Sequence, residues 1–351
     1  MSWVHGGFGS FPPSDFLLDL SNSPDSAIKR CQIPPSPSPR EDSIAALLGS
    51  DSHCQPLKQT KIRSSYIRDF LGLLALERKD WIIVIKAFFD ESWNPNKPRM
   101  FAVAGVLAPA EEWEKIEAGW QAALAEKNME LANQGRKQIS RYHASEMNAR
   151  DHEFEGWTNE ENAQFDQRML SVIRGRDIFI ISFAVVLEDM AKVFPGWAAD
   201  TQGYAYGYAF RNCLLLCGRI ASNPEWFKTG QYVKAWHDQC QWSEWAIDAF
   251  QKTKSDPTFS ENWRFDSLAH DSSVSNACLQ VADMMAYDCW RESERVRYNS
   301  KRNMGKFFSE LVNVEEHRVY ATYADERTFL DLSELLKKKR TAKLSADQKA
   351  Q

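Results

Sequence analysis

The sequence predicts an α/β domain in which a mixed β-sheet lies between two layers of helices. Apolar runs of strand length, rich in Val and Ile, alternate along the chain with segments of helical periodicity. The first two predicted strands are joined by a short connection, which favours an antiparallel pair. With 351 residues, 43% of them hydrophobic, the chain can bury the core that such a fold requires.

The first predicted strand begins at Ile82 and ends in Asp90, Glu91 and Ser92. Its apolar run lacks polar alternation, which is typical of a strand buried on both faces. Turn-forming Asn and Pro residues follow at 94–98. A buried strand that ends in acids places carboxylates at a sheet edge, where metal ligands and catalytic acids often lie. The plainer interpretation is that these acids begin a solvated turn.

The next two elements follow directly. Residues 100–107 (MFAVAGVL) form the second predicted strand. In 111–127, Trp113, Ile116 and Trp120 recur at helical spacing behind acids in the first turn, which predicts a helix.

The remaining elements follow the same alternation, linked at first by the polar segment 136–147. The further predicted strands are 177–187, 231–236 and 265–269. The further predicted helices are 159–174, 202–221, 243–252, 276–291 and 325–340.

Composition divides the chain into three parts. Residues 1–80 are rich in Pro and Ser and predict a flexible, largely disordered extension, with a candidate helix at 66–76 and a possible role in binding a protein partner. The predicted folded domain covers 81–295. Residues 296–351 are predicted as a C-terminal helical extension with a basic end at 337–340.

Charge and cysteine content exclude several classes of protein. The formal net charge is −5, so the chain lacks the overall basic character of many nucleic-acid-binding domains, and contact with phosphate would be local or bridged by a metal cation. No apolar run of about 18 residues is present, so no membrane span is expected. Seven cysteines at irregular spacing, without a secretory signal, predict a reducing, cytoplasmic location.

Three acids are candidates for one site. Asp90 and Asp238 each end a predicted strand, and ligands of open α/β sheets lie beyond the carboxyl ends of strands. On the predicted helix 276–291, Gln280 and Asp283 share a polar stripe opposite an apolar face. Such a stripe usually faces solvent.

Carboxylates gathered at one edge repel each other unless a cation neutralises them. Mg²⁺ or Mn²⁺ suits an all-oxygen set, and two such ions support phosphodiester cleavage. His143 and Glu146 lie three residues apart, so that one of them could assist proton transfer. A zinc site at His237, Cys240 and Cys278 is disfavoured because paired ligand spacing is missing.

Seven segments together resemble a known family. They are Phe89-Asp90-Glu91-Ser92, the strand Phe101–Leu107, Tyr142-His143-Ala144-Ser145-Glu146, Phe154-Glu155-Gly156-Trp157, Val233–Asp238, Phe265-Asp266-Ser267 and Leu279-Gln280-Val281-Ala282-Asp283-Met284-Met285-Ala286-Tyr287. In this order they resemble the motifs of the family called domain of unknown function 3800, over roughly residues 81–295. Trp93 departs from the pattern, because many members have Gly there.

The resemblance implies a ribonuclease H-like fold and a nuclease-like site shared by Asp90, Asp238 and Asp283. The expected function is therefore a Mg²⁺- or Mn²⁺-dependent nuclease acting on RNA or DNA, with His143 or Glu146 assisting proton transfer. Glu91, Ser92 and Gln280 are expected to support the metal ligands. The alternatives are a non-catalytic adaptor of the same fold in a defence or mobile-element system, and a hydrolase of small phosphoesters.

Overall fold

The computed structural model describes residues 85–227, 231–256, 264–299, 301, 304–305, 308–310 and 317–350. The predicted extension 1–80, its candidate helix at 66–76 and the start of the first predicted strand at 82–84 lie outside these residues. Within them the predicted α/β arrangement is confirmed, because a mixed β-sheet is flanked by helices.

Six strands form the sheet, in the spatial order β5-β4-β1-β2-β3-β6. They are β1 Ile85–Trp93, β2 Met100–Pro109, β3 Ile178–Val186, β4 Val233–Asp238, β5 Phe265–Asp271 and β6 His317–Ala324. The predicted antiparallel pairing of the first two strands is confirmed, and β2 is also antiparallel to β3. The other neighbours are parallel, so β1, β4 and β5 all end at the same edge of the sheet.

Strand β6 was not predicted from the sequence. It lies within the part of the chain expected to be a helical extension, and it pairs in parallel with β3 at the margin of the sheet. Its run of Val319, Tyr320, Ala321, Thr322 and Tyr323 mixes polar and apolar residues, which makes an edge strand hard to distinguish from a loop in one sequence.

Eight α-helices connect and cover the described strands. They are α1 Ala110–Asn133, α2 Ala144–Ala149, α3 Asn159–Ile173, α4 Leu187–Val193, α5 Thr201–Ser222, α6 Ser243–Ser255, α7 Ala277–Tyr298 and α8 Glu326–Ala350. The short helices α2 and α4 were not predicted. Helix α3 begins with a capping box, in which the side chains of Thr158 and Glu161 each accept a hydrogen bond from the other's backbone N–H.

The helices form two layers because the sheet is apolar on both faces. Phe88 and Val106 pack with α1, α3 and α7 on one face. Phe89 and Val103 pack with α5 and α6 on the other face, where Phe329 of α8 also contributes. Strand side chains alternate between these two layers, so neighbouring residues of β1 face different helices.

Gly105 makes room for the ring of Phe89 one residue before Asp90. The two residues are cross-strand partners in β1 and β2, and a Cβ atom on Gly105 would lie 2.4 Å from Cδ1 of Phe89. Only glycine therefore fits opposite this ring, and the close packing holds the carboxyl end of β1 against β2.

Among the described helices, none combines the length and the apolar character needed to cross a lipid bilayer.

Candidate functional site

Asp90 lies at the carboxyl end of β1, on the sheet face that α7 covers. It is 8% exposed, and its Oδ1 accepts a hydrogen bond of 2.8 Å from the Glu91 N–H. Burial raises the pKa of Asp90 well above its usual value, and the nearby charges of Glu91, Asp283 and Asp238 raise it further. The residue predicted first is thus part of a group of interacting acids.

Asp238 ends the neighbouring parallel strand. The paired residues Phe89 and His237 immediately precede Asp90 and Asp238, so the two acids lie at the same level; β4 ends there, whereas β1 continues to Trp93. Adjacent strands lie about 4.8 Å apart. Asp238 Oδ1 accepts the Gln239 and Ser273 N–H groups, each at 2.9 Å, and its Oδ2 accepts the Ser273 hydroxyl at 2.8 Å.

Asp283 reaches the same place from helix α7. It is 7% exposed, and its Oδ2 accepts a 2.7 Å hydrogen bond from the Ala144 N–H at the start of α2. Burial raises the pKa of Asp283, the charges of His143 and Arg141 oppose this rise, and Asp238 adds to it. The polar stripe of α7 is therefore buried at this point and does not face solvent.

Glu91 points toward the opposite face of the sheet from Asp90, as strand alternation predicts. Burial raises the pKa of Glu91 to about 7, a hydrogen bond with Cys240 opposes the rise, and Asp238 and Asp283 contribute to it. Its Oε2 is buried and has no hydrogen-bond donor among the described residues. Ser92, 8% exposed, is paired with Ala102 of β2.

Gln280, expected to orient the metal ligands, connects three segments around the acids. It is 3% exposed, and its Oε1 accepts hydrogen bonds from Trp120 Nε1 at 2.9 Å and from the Tyr142 N–H at 3.0 Å. Its Nε2 donates to the Ser273 carbonyl at 2.7 Å. Ser273 binds Asp238, and Tyr142 precedes His143. The amide of Gln280 therefore holds in place both the loop that binds Asp238 and the segment that carries His143.

His143 caps the short helix α2. Its Nδ1 accepts a hydrogen bond of 3.3 Å from the Glu146 N–H, so the proton of the neutral imidazole lies on Nε2. The Glu146 carboxylate lies 3.2 Å from the Arg141 guanidinium and 3.9 Å from His143 Nδ1. The electrostatic effect on Asp283 places His143 beside the acids, whereas Glu146 is paired with arginine.

Three participants in this site were not found from the sequence. Ser273 binds Asp238, Arg141 acts on Asp283, and Asp271 ends β5 level with Asp238. Asp271 lay just past the strand predicted at 265–269, so extending that strand by two residues would have found it. Ser273 and Arg141 lie in loops whose sequences carry no pattern that indicates their contacts.

The carboxylates of Asp90, Asp238 and Asp283 offer oxygen atoms, which suit Mg²⁺ or Mn²⁺ by donor chemistry. In the described ranges, no group of three or more His, Cys, Asp or Glu side chains is placed so that it could hold a metal ion. A carboxylate has about four lone-pair positions, so the hydrogen bonds above leave acceptor capacity on each acid.

The chain matches no protein-family model, and no curated protein shows significant sequence similarity to it. The resemblance described above therefore depends on the motifs that carry it.

The buried acids predict a stability that decreases with rising pH. Between the usual Glu pKa of 4.5 and the value of about 7 for Glu91, the folded state keeps a proton that the unfolded state has lost. The contribution of protonated Glu91 to the free energy of unfolding is complete below pH 4.5 and is lost as the pH rises through 7. Urea unfolding in EDTA should show that Glu91→Gln is more stable than wild type by about 1–3 kcal/mol at pH 8, and equal to it at pH 4.

The matched control is Glu126→Gln, which alters an exposed acid of α1. Its free energy of unfolding should follow that of wild type at both pH values. If Glu91→Gln lost stability with pH as steeply as wild type, Glu91 would not be the titrating group.

Proposed function

We propose that this protein is a divalent-metal-dependent phosphodiesterase that cleaves nucleic acid. One observation carries the proposal: Asp90, Asp238 and Asp283 come from two parallel strands and a helix and meet at the same sheet edge, where Asp238 and Asp283 raise the pKa of Asp90 and Asp238 raises that of Asp283. Unneutralised carboxylates in such a place destabilise the fold, so their collection favours a site for a cation.

A ribonuclease H-like fold is part of this proposal. The strands β3-β2-β1-β4-β5 form five adjacent members of the sheet, and among them only β2 runs antiparallel to the rest. This is the order expected of a ribonuclease H-like sheet, with Asp90 on the central strand. Strand β6 adds a sixth member beside β3.

Asp90, Asp238 and Asp283 would hold the metal, Mg²⁺ or Mn²⁺. When bound, such ions activate water and stabilise the leaving oxygen of a phosphodiester. The chain's own hydrogen bonds orient the acids, through Ser273 at Asp238 and the Ala144 N–H at Asp283. Metal-binding carboxylates are commonly oriented by such hydrogen bonds.

His143 is the better placed of the two candidates for assisting the leaving oxygen. The hydrogen bond at its Nδ1 fixes the neutral ring and directs Nε2–H away from α2, so it can donate a hydrogen bond to a leaving oxygen, which takes its proton from water. Glu146 supports this orientation through its backbone N–H, while its carboxylate is paired with Arg141. We therefore assign this hydrogen bond to His143 and a positioning role to Glu146.

The test of the proposed function is a cleavage assay with the purified full-length chain. Labelled DNA, RNA and hybrid oligonucleotides are incubated with Mn²⁺, with Mg²⁺ and with EDTA. Cleavage of at least one substrate with metal, and of none with EDTA, is the expected result. A chain that cleaves none of them under any condition would contradict the proposal.

A second candidate function is a non-catalytic adaptor with the same fold. The observation that favours it is that no three of the described His, Cys, Asp or Glu side chains are placed to share a metal ion. In this case the acids would be a structural or partner-binding feature, and the protein would not respond to divalent cations.

Metal binding separates the two candidates without any assay of turnover. Mn²⁺ at 100 times its dissociation constant should raise the free energy of unfolding by about 2.7 kcal/mol if it binds only the folded state. Thermal unfolding of wild type should therefore shift upward with Mn²⁺ at pH 8. Asp238→Asn should abolish the shift, and Asp266→Asn, at an exposed residue of β5, should retain it. No shift in wild type would favour the adaptor.

A further inference from the structure

A cleft of about 580 Å³ lies between helix α7 and the turn that joins β1 to β2. Ligand-binding pockets span about 300–1,000 Å³, so this cleft is large enough to hold part of a substrate. Its lining residues are Asn94, Lys97, Arg99, Asn148, Tyr287, Trp290, Arg291, Glu294, Arg295, Tyr298 and Asn299.

The cleft is basic although the chain as a whole is acidic. Four cations line it against one carboxylate, Glu294, and Arg295 is held by bonds to the Glu292 carboxylate outside the lining. Lys97 and Arg99 on the turn both act electrostatically on Glu294 across the cleft. This leaves a local positive charge on a protein whose formal net charge is −5.

Aromatic rings are interleaved with these cations. The Arg99 guanidinium lies 5.3 Å from the ring centre of Tyr298, and that of Arg291 lies 5.5 Å from the ring centre of Tyr287. Trp290 is 8% exposed, and its buried Nε1–H has no hydrogen-bond acceptor in the part of the chain that the structure describes. A buried donor without a partner is costly to the folded state.

The cleft continues directly from the acids along α7. At about 1.5 Å per residue, Tyr287 lies about 6 Å and Arg291 about 12 Å beyond Asp283 along the helix axis. At the other wall, Asn94 lies four residues beyond Asp90, about 13 Å along the extended strand, and Asn148 belongs to α2, whose first N–H binds Asp283. A polymer that enters the cleft therefore runs toward the carboxylates.

We propose that this cleft binds single-stranded nucleic acid, with phosphates on Lys97, Arg99 and Arg291 and bases stacked on the half-buried rings of Tyr287 and Tyr298. Cations that follow the backbone and rings that accept any base are the two components of sequence-independent single-strand binding. In a duplex the bases are stacked on one another inside, so rings recessed in a cleft cannot reach their faces. The inference rests on the proposed function, because it names the form of substrate that this site receives.

The experiment measures binding without catalysis. Fluorescence anisotropy of the full-length chain in EDTA compares one labelled sequence as single-stranded DNA, as single-stranded RNA and as duplex DNA. Wild type should bind a single strand at least about tenfold tighter than the duplex, as expected when stacking contributes. The double variant Lys97→Glu/Arg99→Glu should weaken binding. It should also make the salt slope, the slope of the logarithm of the binding constant against the logarithm of the salt concentration, shallower by about 1.4, or about 0.7 for each lost phosphate contact.

Two further variants test the two kinds of contact separately. Tyr298→Leu should weaken single-strand binding by roughly tenfold while leaving the salt slope unchanged. The control Lys252→Glu/Lys254→Glu makes the same change in net charge on α6, which packs on the opposite face of the sheet. Its binding should be equal to that of wild type.

The inference is overturned if duplex binds as tightly as single strand, if wild type binds neither, or if the α6 control weakens binding as much as the cleft variant. Failure of the cleft proposal can be distinguished from failure of the proposed nuclease function. Cleavage that is unchanged in the cleft variant would leave the nuclease proposal standing without this cleft. Single-strand binding through the cleft with no cleavage under any metal condition would support the cleft and contradict the nuclease.

Discussion

Replacing either Asp90 or Asp283 by Asn is expected to reduce metal-dependent cleavage of nucleic acid by at least about 10²-fold. Removing a residue that only orients a metal ligand costs about 10–100-fold, so loss of a ligand itself should cost at least as much. Initial rates on the best oligonucleotide substrate, measured across a Mn²⁺ titration, check this. Excess Mn²⁺ should not restore the rate.

The same variants are expected to remain folded. Asn retains an oxygen that can accept the Glu91 N–H at position 90 and the Ala144 N–H at position 283. Each substitution also removes one charge from a set of buried acids that raise one another's pKa values. The free energy of unfolding in EDTA at pH 8 should therefore be equal to or higher than that of wild type.

Asp248→Asn is the matched control, because it alters a carboxylate that is 47% exposed on α6 and paired with Lys252. Its cleavage rate should be that of wild type. Metal-dependent cleavage that survives both Asp90→Asn and Asp283→Asn would exclude this site as the catalytic centre, whatever activity the protein has.

Gln280→Ala is expected to lower the free energy of unfolding by about 3–5 kcal/mol, since it leaves buried donors and an acceptor without partners. The Trp120 indole N–H and the Tyr142 N–H would lose their acceptor, and the Ser273 carbonyl would lose its donor. The loss of this connection would also release Ser273 from its position beside Asp238. Urea unfolding followed by tryptophan fluorescence measures the change.

Gln167→Ala provides the comparison in the same kind of element. Gln167 lies on helix α3 and makes one side-chain hydrogen bond, of 3.3 Å, to Glu310. It should cost less than about 1 kcal/mol, as a single half-buried hydrogen bond does. If Gln280→Ala were destabilised no more than Gln167→Ala, the amide of Gln280 would not connect the three segments as described.

Local patterns were sufficient for most of the fold. The β-branched run before Asp90 predicted β1, and the apolar spacing of Trp113, Ile116 and Trp120 predicted α1, because burial selects side chains at the period of each element. Strand β6 and helices α2 and α4 were missed since each is short or lies at the margin of the sheet. Their stability comes from neighbours that are distant in sequence.

For the site, the sequence alone determined that Asp90 lies toward the carboxyl end of a strand, that Asp238 ends a strand and that Asp283 shares a helix face with Gln280. It could not determine that this face is buried, that Ser273 and the Ala144 N–H bind the acids, or that Lys97 and Arg99 lie opposite α7 across a basic cleft. The spacing of apolar residues in the sequence indicates which face of its own strand or helix a side chain occupies. Which element lies opposite depends on strand order and helix packing, and only the tertiary structure decides those.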